Sequence, residues 1–141
     1  MKIARAQTEA DRQACFDVRH AVFEIEQEII DPPDLDEYDA DALHYLALCA
    51  DGPAGCARIV ARGDTAKIGR VAVLRPHRGT GLGAKIMRAV LDDARALGFR
   101  RAELESQTHA IAFYERLGFV ATGADYDDGS GIPHRLMRAD L

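Results

Sequence analysis

The sequence predicts an α/β (α+β) domain, a partly antiparallel sheet of six to seven strands flanked by helices. Three observations carry this. Apolar residues recur at helical spacing in three stretches, while others read as short strands. Two turn signals, Asp51-Gly52-Pro53 and Arg62-Gly63-Asp64, separate three consecutive strand-like stretches, which makes a meander. A strand, a long helix and another strand then follow from Val71 to Leu104, a pattern that closes as a parallel, right-handed crossover. Meander and crossover together imply a mixed sheet. The 141 residues match one ordinary domain, so 1–141 is read as a single unit.

The elements follow in order. Lys2 to Ala6 is a short edge strand. Thr8-Glu9-Ala10-Asp11 reads as a helix start, and Cys15, Val18 and Val22 carry that helix to about Phe23. From Glu24 to Asp41 the chain turns acidic, and Pro32-Pro33 forbids a continuous helix, so an irregular segment over a cleft is expected. The meander strands are Leu43 to Ala50, Ala54 to Ala61 and Ala66 to Leu74. Leu82, Ile86, Ala89, Val90 and Leu97 mark the long helix, and Gly98 stands where its C-terminal cap belongs. Arg101 to Glu105 is the next strand. Ala110, Phe113 and Leu117 mark a helix closed by Gly118. Phe119 to Thr122 and His134 to Ala139 are the last strands, joined by a loop from Gly123 to Pro133.

Composition narrows the class. Apolar residues at 48% against charged ones at 29% mean a folded chain rather than a disordered one. A net charge of −5 argues against coating nucleic acid. No apolar run reaches the length of a membrane span, and Met1 to Ala6 lacks a signal-peptide core. The expected setting is cytoplasmic, with neither nucleic acid nor membrane as partner. Cys15, Cys49 and Cys56 are odd in number and form no CxxC pair. They read as buried small hydrophobes, and no metal is expected.

The informative stretch is Arg78-Gly79-Thr80-Gly81-Leu82-Gly83-Ala84, between a strand and a helix start. Glycines let the backbone approach a ligand and turn its amides inward. The helix N-terminus adds unpaired N–H groups and the positive end of the dipole. Arg78 adds a forked cation. Together they suit a phosphate. On its own the loop is ambiguous. Gly79-Thr80-Gly81 with Ala84 imitates a dinucleotide fingerprint, with Glu103 near the place of its ribose-binding acid. Gly79 to Lys85 also imitates a P-loop, but the glycine spacing and Ile86 break that pattern.

Context resolves the choice. The run Val71 to Gly83 resembles the acetyl-CoA motif of the GNAT N-acetyltransferases, whose pattern of Gln or Arg, two residues, Gly, one residue, Gly or Ala is filled by Arg78, Gly81 and Gly83. Ala110 to Phe119 resembles the family's second motif, with its tyrosine at Tyr114 and its terminal Gly118-Phe119. The resemblance runs from about Leu43 to the end of the chain. Arg19, Val22-Phe23 and Glu26-Gln27, with Gly131-Ile132-Pro133-His134, are similar to the bacterial ElaA/YjcF-type subgroup. The resemblance implies a mostly antiparallel sheet and acetyl-CoA as cosubstrate. Main-chain groups of Val71 and Val73 would bond the pantetheine arm, and amides of Gly79, Thr80, Gly81, Leu82, Gly83 and Ala84 the pyrophosphate. Tyr114 would stand near the thioester sulfur. Gln107 stands where the family often has Asn, in contact with the cofactor. The acceptor is expected to be a small-molecule or peptide amine, and a homodimer is consistent with domains of this kind.

The chemistry asks for specific groups. An ordinary ammonium titrates near ~10.4, so the amine must lose a proton to a base. An oxyanion needs a donor, and a strand amide near Val73 fits. The departing thiolate benefits from an acid, and the Tyr114 phenol can serve. Its offset from the Ala110, Phe113, Leu117 stripe turns Tyr114 away from the core face. Candidates for the base are Glu26 beyond the first helix, Glu105 at a strand end and His134, histidine being the side chain that titrates nearest neutrality. Arg19, Glu26 and His134 are candidates for the acceptor pocket. Asp31, Asp34, Asp36, Glu37, Asp39 and Asp41 read either as a solvated run or as an attractor of a cationic amine. A non-catalytic acyl-CoA sensor is the alternative to an enzyme.

Overall fold

The structure, a computed structural model, describes residues 1–29 and 34–141. Asp31 and Pro32-Pro33 lie outside the described residues. Strand β1 (Lys2–Arg5) is followed by helix α1 (Glu9–Arg19). The Asp11 amide donates to the Thr8 hydroxyl at 3.1 Å, the cap that the Thr8–Asp11 run predicts. Beyond Arg19 the helix does not end near Phe23 but widens into a π-helix over His20–Glu26. Strands β2 (Leu43–Cys49), β3 (Gly52–Arg62) and β4 (Thr65–Val73) form the meander. A 3₁₀ turn (Arg75–His77) leads through the glycine-rich loop into α2 (Leu82–Ala96). Strand β5 (Arg101–Gln107) is followed by a 3₁₀ turn (Thr108–Ala110), α3 (Ile111–Glu115), β6 (Val120–Asp127) and β7 (Pro133–Asp140).

These strands make one seven-stranded sheet in the order β1-β2-β3-β4-β5-β7-β6. Every neighbouring pair is antiparallel except β4–β5, which the α2 crossover makes parallel. That arrangement excludes a doubly wound, all-parallel dinucleotide fold. Strand β6 runs five residues past the predicted Thr122, because a bulge between Thr122 and Tyr126 lets pairing with β7 resume at Tyr126↔His134.

Alternation along the strands puts side chains on both faces. In β2, Tyr45 and Ala47 join one core while Leu46 joins the other. The stripe Leu82, Ile86, Met87, Val90, Leu91 and Ala94 of α2 is buried against the first face, with Ile59, Ile68, Leu104 and Met137. Cys15, Val18 and Val22 cover the second face, against Cys56 and Ala72. Each large apolar side chain so removed from water contributes about 1.5–3 kcal/mol. None of the described helices is long and apolar enough to cross a membrane.

The feature that makes a site is a fork. Strands β4 and β5 pair only at Thr65↔Arg101, Ala66↔Ala102 and Lys67↔Glu103. Beyond Lys67 they part, while β5 stays paired to β7 as far as Gln107↔His134. Strand β4 stays paired to β3 as far as Val73↔Gly55. The β5-facing edge of β4 from Ile68 to Val73 therefore lacks a strand partner.

Candidate active site

A cavity of about 550 Å³ occupies the fork, and Val71, Val73, Glu105, Gln107, Tyr114 and His134 all line it. The six residues from Ile68 to Val73 give the cleft about 20 Å of strand edge. The Leu74 amide donates to the Ala54 carbonyl at 2.9 Å, which directs it toward β3. Strand alternation then turns the Val73 N–H and C=O the other way, into the cleft. β4 also carries a bulge opposite Cys56–Arg58, and Arg70 within it takes a left-handed φ of 52°. A non-glycine residue holds that conformation only where its surroundings enforce it. Here the Arg70 guanidinium donates to the Asp34 carbonyl at 3.1 Å and to the Asp36 carboxylate at 3.1 Å.

The glycine-rich loop stands beside this cavity. Gly81, the N-cap of α2, sits at φ 82°, where a side chain would be strained, and no side chain caps the helix. The first amide of α2 with a bond of its own to the preceding turn is Lys85, donating to the Gly81 carbonyl. Those of Leu82, Gly83 and Ala84 come before it at the positive end of the helix. Gly83 faces the Phe113 ring, and a Cβ there would stand 3.4 Å from it, an ordinary van der Waals contact. The Arg78 side chain is not free, however. Its Nε donates to the Val73 carbonyl at 2.9 Å and both terminal nitrogens grip Glu26. The loop therefore offers a ligand its main chain more readily than its arginine.

The other predicted residues divide. The Glu26 carboxylate faces a groove with Leu74, Arg75 and Pro76 rather than the main cavity. Hydrogen bonds from Arg78, reinforced by Arg75, hold its carboxyl down near about 2. A carboxylate so stabilised is a poor proton acceptor, which argues against Glu26 as the base. Arg19, read from sequence as an acceptor-pocket residue, is instead 1% exposed and does not line the cavity. It donates to Asp34 at 3.0 Å and to Asp39 at 2.7 and 3.0 Å. Arg58 likewise binds Asp36 and Asp39, and His44 Nε2 lies 2.9 Å from the Asp39 carbonyl. Three guanidiniums, Arg19, Arg58 and Arg70, thus neutralise three carboxylates, Asp34, Asp36 and Asp39. The reading of a solvated run therefore fails for Asp34 and Asp39, which are buried, while Asp36 is half-buried and lines the cavity with Asp34. An amine entering the cavity meets acids already paired to arginines, and of this run Glu37 and Asp41 stay exposed.

Tyr114 is also differently placed from its sequence reading. It packs edge-on against Phe113 and Phe119, with ring centroids 4.9 and 6.0 Å apart, yet it lines the cavity. Burial pushes its phenol up to about 12. Gln107 is engaged by Gln27 across the cleft, with amide contacts of 2.9 and 3.3 Å, and by His109 at 2.7 Å. Sequence reasoning quoted Gln27 within the subgroup resemblance but gave it no role, for no local pattern marks a partner eighty residues away in the chain. It missed Arg58, although a charge inside the apolar run Ala57-Arg58-Ile59 was a signal. His134 is buried, and its Nδ1 lies 2.7 Å from the Ile132 carbonyl. A carbonyl only accepts, so Nδ1 carries a proton, while Nε2 lies 3.5 Å from the Asp128 carboxylate. The Asp128 carboxyl is held below its usual range by Ser130 and His134 despite the opposing effect of burial. Glu105 lies 3.5 Å from Lys67 at the base of the fork. Cys15 and Cys56 are buried, and desolvation raises both thiols, Cys15 to about 11. Neither is a ready nucleophile. Cys49 departs from the expectation of a buried hydrophobe, for its thiol meets Asp51 and His77.

Known proteins share this fold. Residues 9–119 match the model of the Acetyltransferase (GNAT) family. The chain is 32% identical to the uncharacterized N-acetyltransferase YjcF of Bacillus subtilis, covering 99% of this chain and 100% of that one. It superimposes on an acyl-CoA N-acyltransferase from Pseudomonas aeruginosa with a TM-score of 0.88 at 28% identity, covering 99% of both chains. On Escherichia coli ElaA the TM-score is 0.86 at 26% identity, covering 98% of both.

Proposed function

The chain belongs to the GNAT family of acetyltransferases, and from that premise we propose that it is an N-acetyltransferase moving an acetyl group from acetyl-CoA directly to a primary amine. The fork between β4 and β5 is the observation that carries this reading, since it gives an extended donor an unpaired strand edge and an amine the cavity behind it. The uncapped start of α2 fits a pyrophosphate at Gly79–Ala84. When bound, acetyl-CoA supplies a thioester carbon open to attack. The chain's own groups do the rest. Val71 and Val73 align the pantetheine arm by main-chain bonds, and the Val73 N–H donates to the carbonyl oxygen as charge develops there. Tyr114 keeps its proton at neutral pH and holds it for the departing sulfur. His134 takes the amine proton at Nε2, and the Asp128 carboxylate balances the charge the ring acquires. Glu105, with Lys67 beside it, is the second acceptor for that proton, reached through water. The acceptor is a small-molecule or peptide primary amine.

The test is release of free CoA from acetyl-CoA by the purified chain, with a panel of small primary amines and peptides. Amine-dependent release, with the N-acetyl product seen by mass, is the expected result. Saturable CoA binding with no turnover across the panel would replace this reading with an acyl-CoA sensor.

A further inference from the structure

Outside the cavity, a second group of reactive side chains converges beside the turn that enters the glycine-rich loop. Cys49 ends β2 and Asp51 forms the β2–β3 turn, while His77 arrives from the 3₁₀ turn before Arg78. The Cys49 Sγ lies 2.6 Å from Asp51 Oδ1 and 3.7 and 3.9 Å from the two ring nitrogens of His77. His77 Nε2 is 4.0 Å from Asp51 Oδ2. Among the described residues this is the one place where three donors of metal-ligating type lie within 4.8 Å of one another.

The donor set matters more than the proximity. Sulfur, imidazole nitrogen and one carboxylate oxygen suit Zn²⁺ and its late first-row neighbours, not the hard cations that take oxygen alone. Tetrahedral zinc, with bonds of about 2.3 Å to sulfur and 2.0 Å to nitrogen or oxygen, sets its donors about 3.3–3.6 Å apart. The sulfur–nitrogen and nitrogen–oxygen separations lie within about 0.7 Å of that range, and the sulfur–oxygen contact is shorter than it. To share an ion, the His77 ring must turn so that one nitrogen faces the sulfur, and the Asp51 carboxylate must move back from it. The supporting backbone is fixed. Cys49 pairs with Gly52 across the turn, the His77 amide donates to the Leu74 carbonyl at 2.9 Å, and the His77 carbonyl accepts from the Thr80 hydroxyl at 2.6 Å. Cys15 and Cys56, each 1% exposed, cannot compete for the ion.

We propose that Cys49, Asp51 and His77 bind a late first-row divalent cation, Zn²⁺ foremost, with water in the fourth position. On binding, the Cys49 thiol gives its proton to solvent and coordinates as thiolate. The ion ties the β2–β3 turn to the segment that enters the pyrophosphate loop, and so stiffens that segment. This site is independent of acetyl transfer and stands whether or not the chain turns over.

The experiment is a Co²⁺ titration of the full, metal-free chain, followed by absorbance. The expected result is a thiolate-to-cobalt charge-transfer band with the visible bands of tetrahedral cobalt, both removed by added Zn²⁺. Cys49→Ser should abolish the charge-transfer band. Asp51→Asn and His77→Ala should weaken binding by about tenfold or more. Metal-free melting of each variant is the folding control, and if Cys49→Ser melts early, the His77→Ala and Asp51→Asn titrations decide. Absence of the band in the native chain, its survival in Cys49→Ser, or unchanged affinity in both other variants overturns the site.

Discussion

The Tyr114 phenol lies between the aromatic core and the cavity, and its surroundings set its acidity. With its pKa raised to about 12, it is protonated at all working pH values and can act as an acid. Its hydroxyl makes no hydrogen bond among the described residues, so the ring alone holds the packing. Tyr114→Phe is therefore expected to lower kcat by about 10²-fold while leaving the melting temperature unchanged, and steady-state kinetics beside a thermal melt checks both. An unchanged kcat removes Tyr114 from the mechanism. For the base, the His134 reading predicts that His134→Gln loses the acidic limb of the kcat/KM profile and about 10²–10⁴-fold in rate. Glu26→Gln should leave that limb in place, because its carboxylate is already bound by Arg78. A limb retained in His134→Gln would move the role to Glu105.

Between elements, the wall of the cavity depends on ion pairs that cross the chain. Asp39 joins Arg19 from α1 and Arg58 from β3 within a buried cluster. Removing one partner leaves an unpaired charge out of water, at a cost of about 3–5 kcal/mol. Asp39→Ala should show that loss in urea unfolding, whereas Asp41→Ala, at an exposed position, should change stability by less than about 0.5 kcal/mol. The pH dependence follows from the same pairs. Burial acts to raise the Asp39 carboxyl, but the guanidiniums of Arg19 and Arg58 outweigh it and hold it below its usual range. Its contribution is thus complete above the unfolded value of about 3.9 and is lost as pH falls below it toward the folded value. The native chain should lose stability below about pH 4, and Asp39→Asn should flatten that slope in acid-titrated melts.

Over the whole molecule, a cofactor seated in the fork and reaching the α2 start, as proposed, would tie β4, α2 and α3 together and so couple its binding to global stability. At a hundred times its Kd, such a ligand adds about 2.7 kcal/mol. For a chain of this length that corresponds to a rise of roughly 10 °C in melting temperature. Differential scanning fluorimetry should show that rise with CoA and none with NAD. A rise with NAD instead would contradict the nucleotide preference assigned to the loop.

Most elements and the loop are written in short stretches of the chain, although the π-helical extension of α1 and the bulged run of β6 are not. Gly79 and Gly81 were legible because left-handed turns need glycine wherever they occur, so the requirement is written locally. Thr8, the apolar stripe of α2 and the turn at Asp51-Gly52-Pro53 were legible for the same reason, since capping, periodicity and turn chemistry act over a few residues. Only the tertiary structure decided which charges are chemical and which are structural. Arg19 stands on α1, Arg58 on β3 and Arg70 on β4, the acids that neutralise them stand between the π-helix and β2, and their pairing depends on strand register and helix docking. The same holds for Glu26, which pattern placed near a substrate and packing gave to Arg78. Electrostatic pairing falls off with distance in space rather than along the chain, so no short stretch of sequence records it.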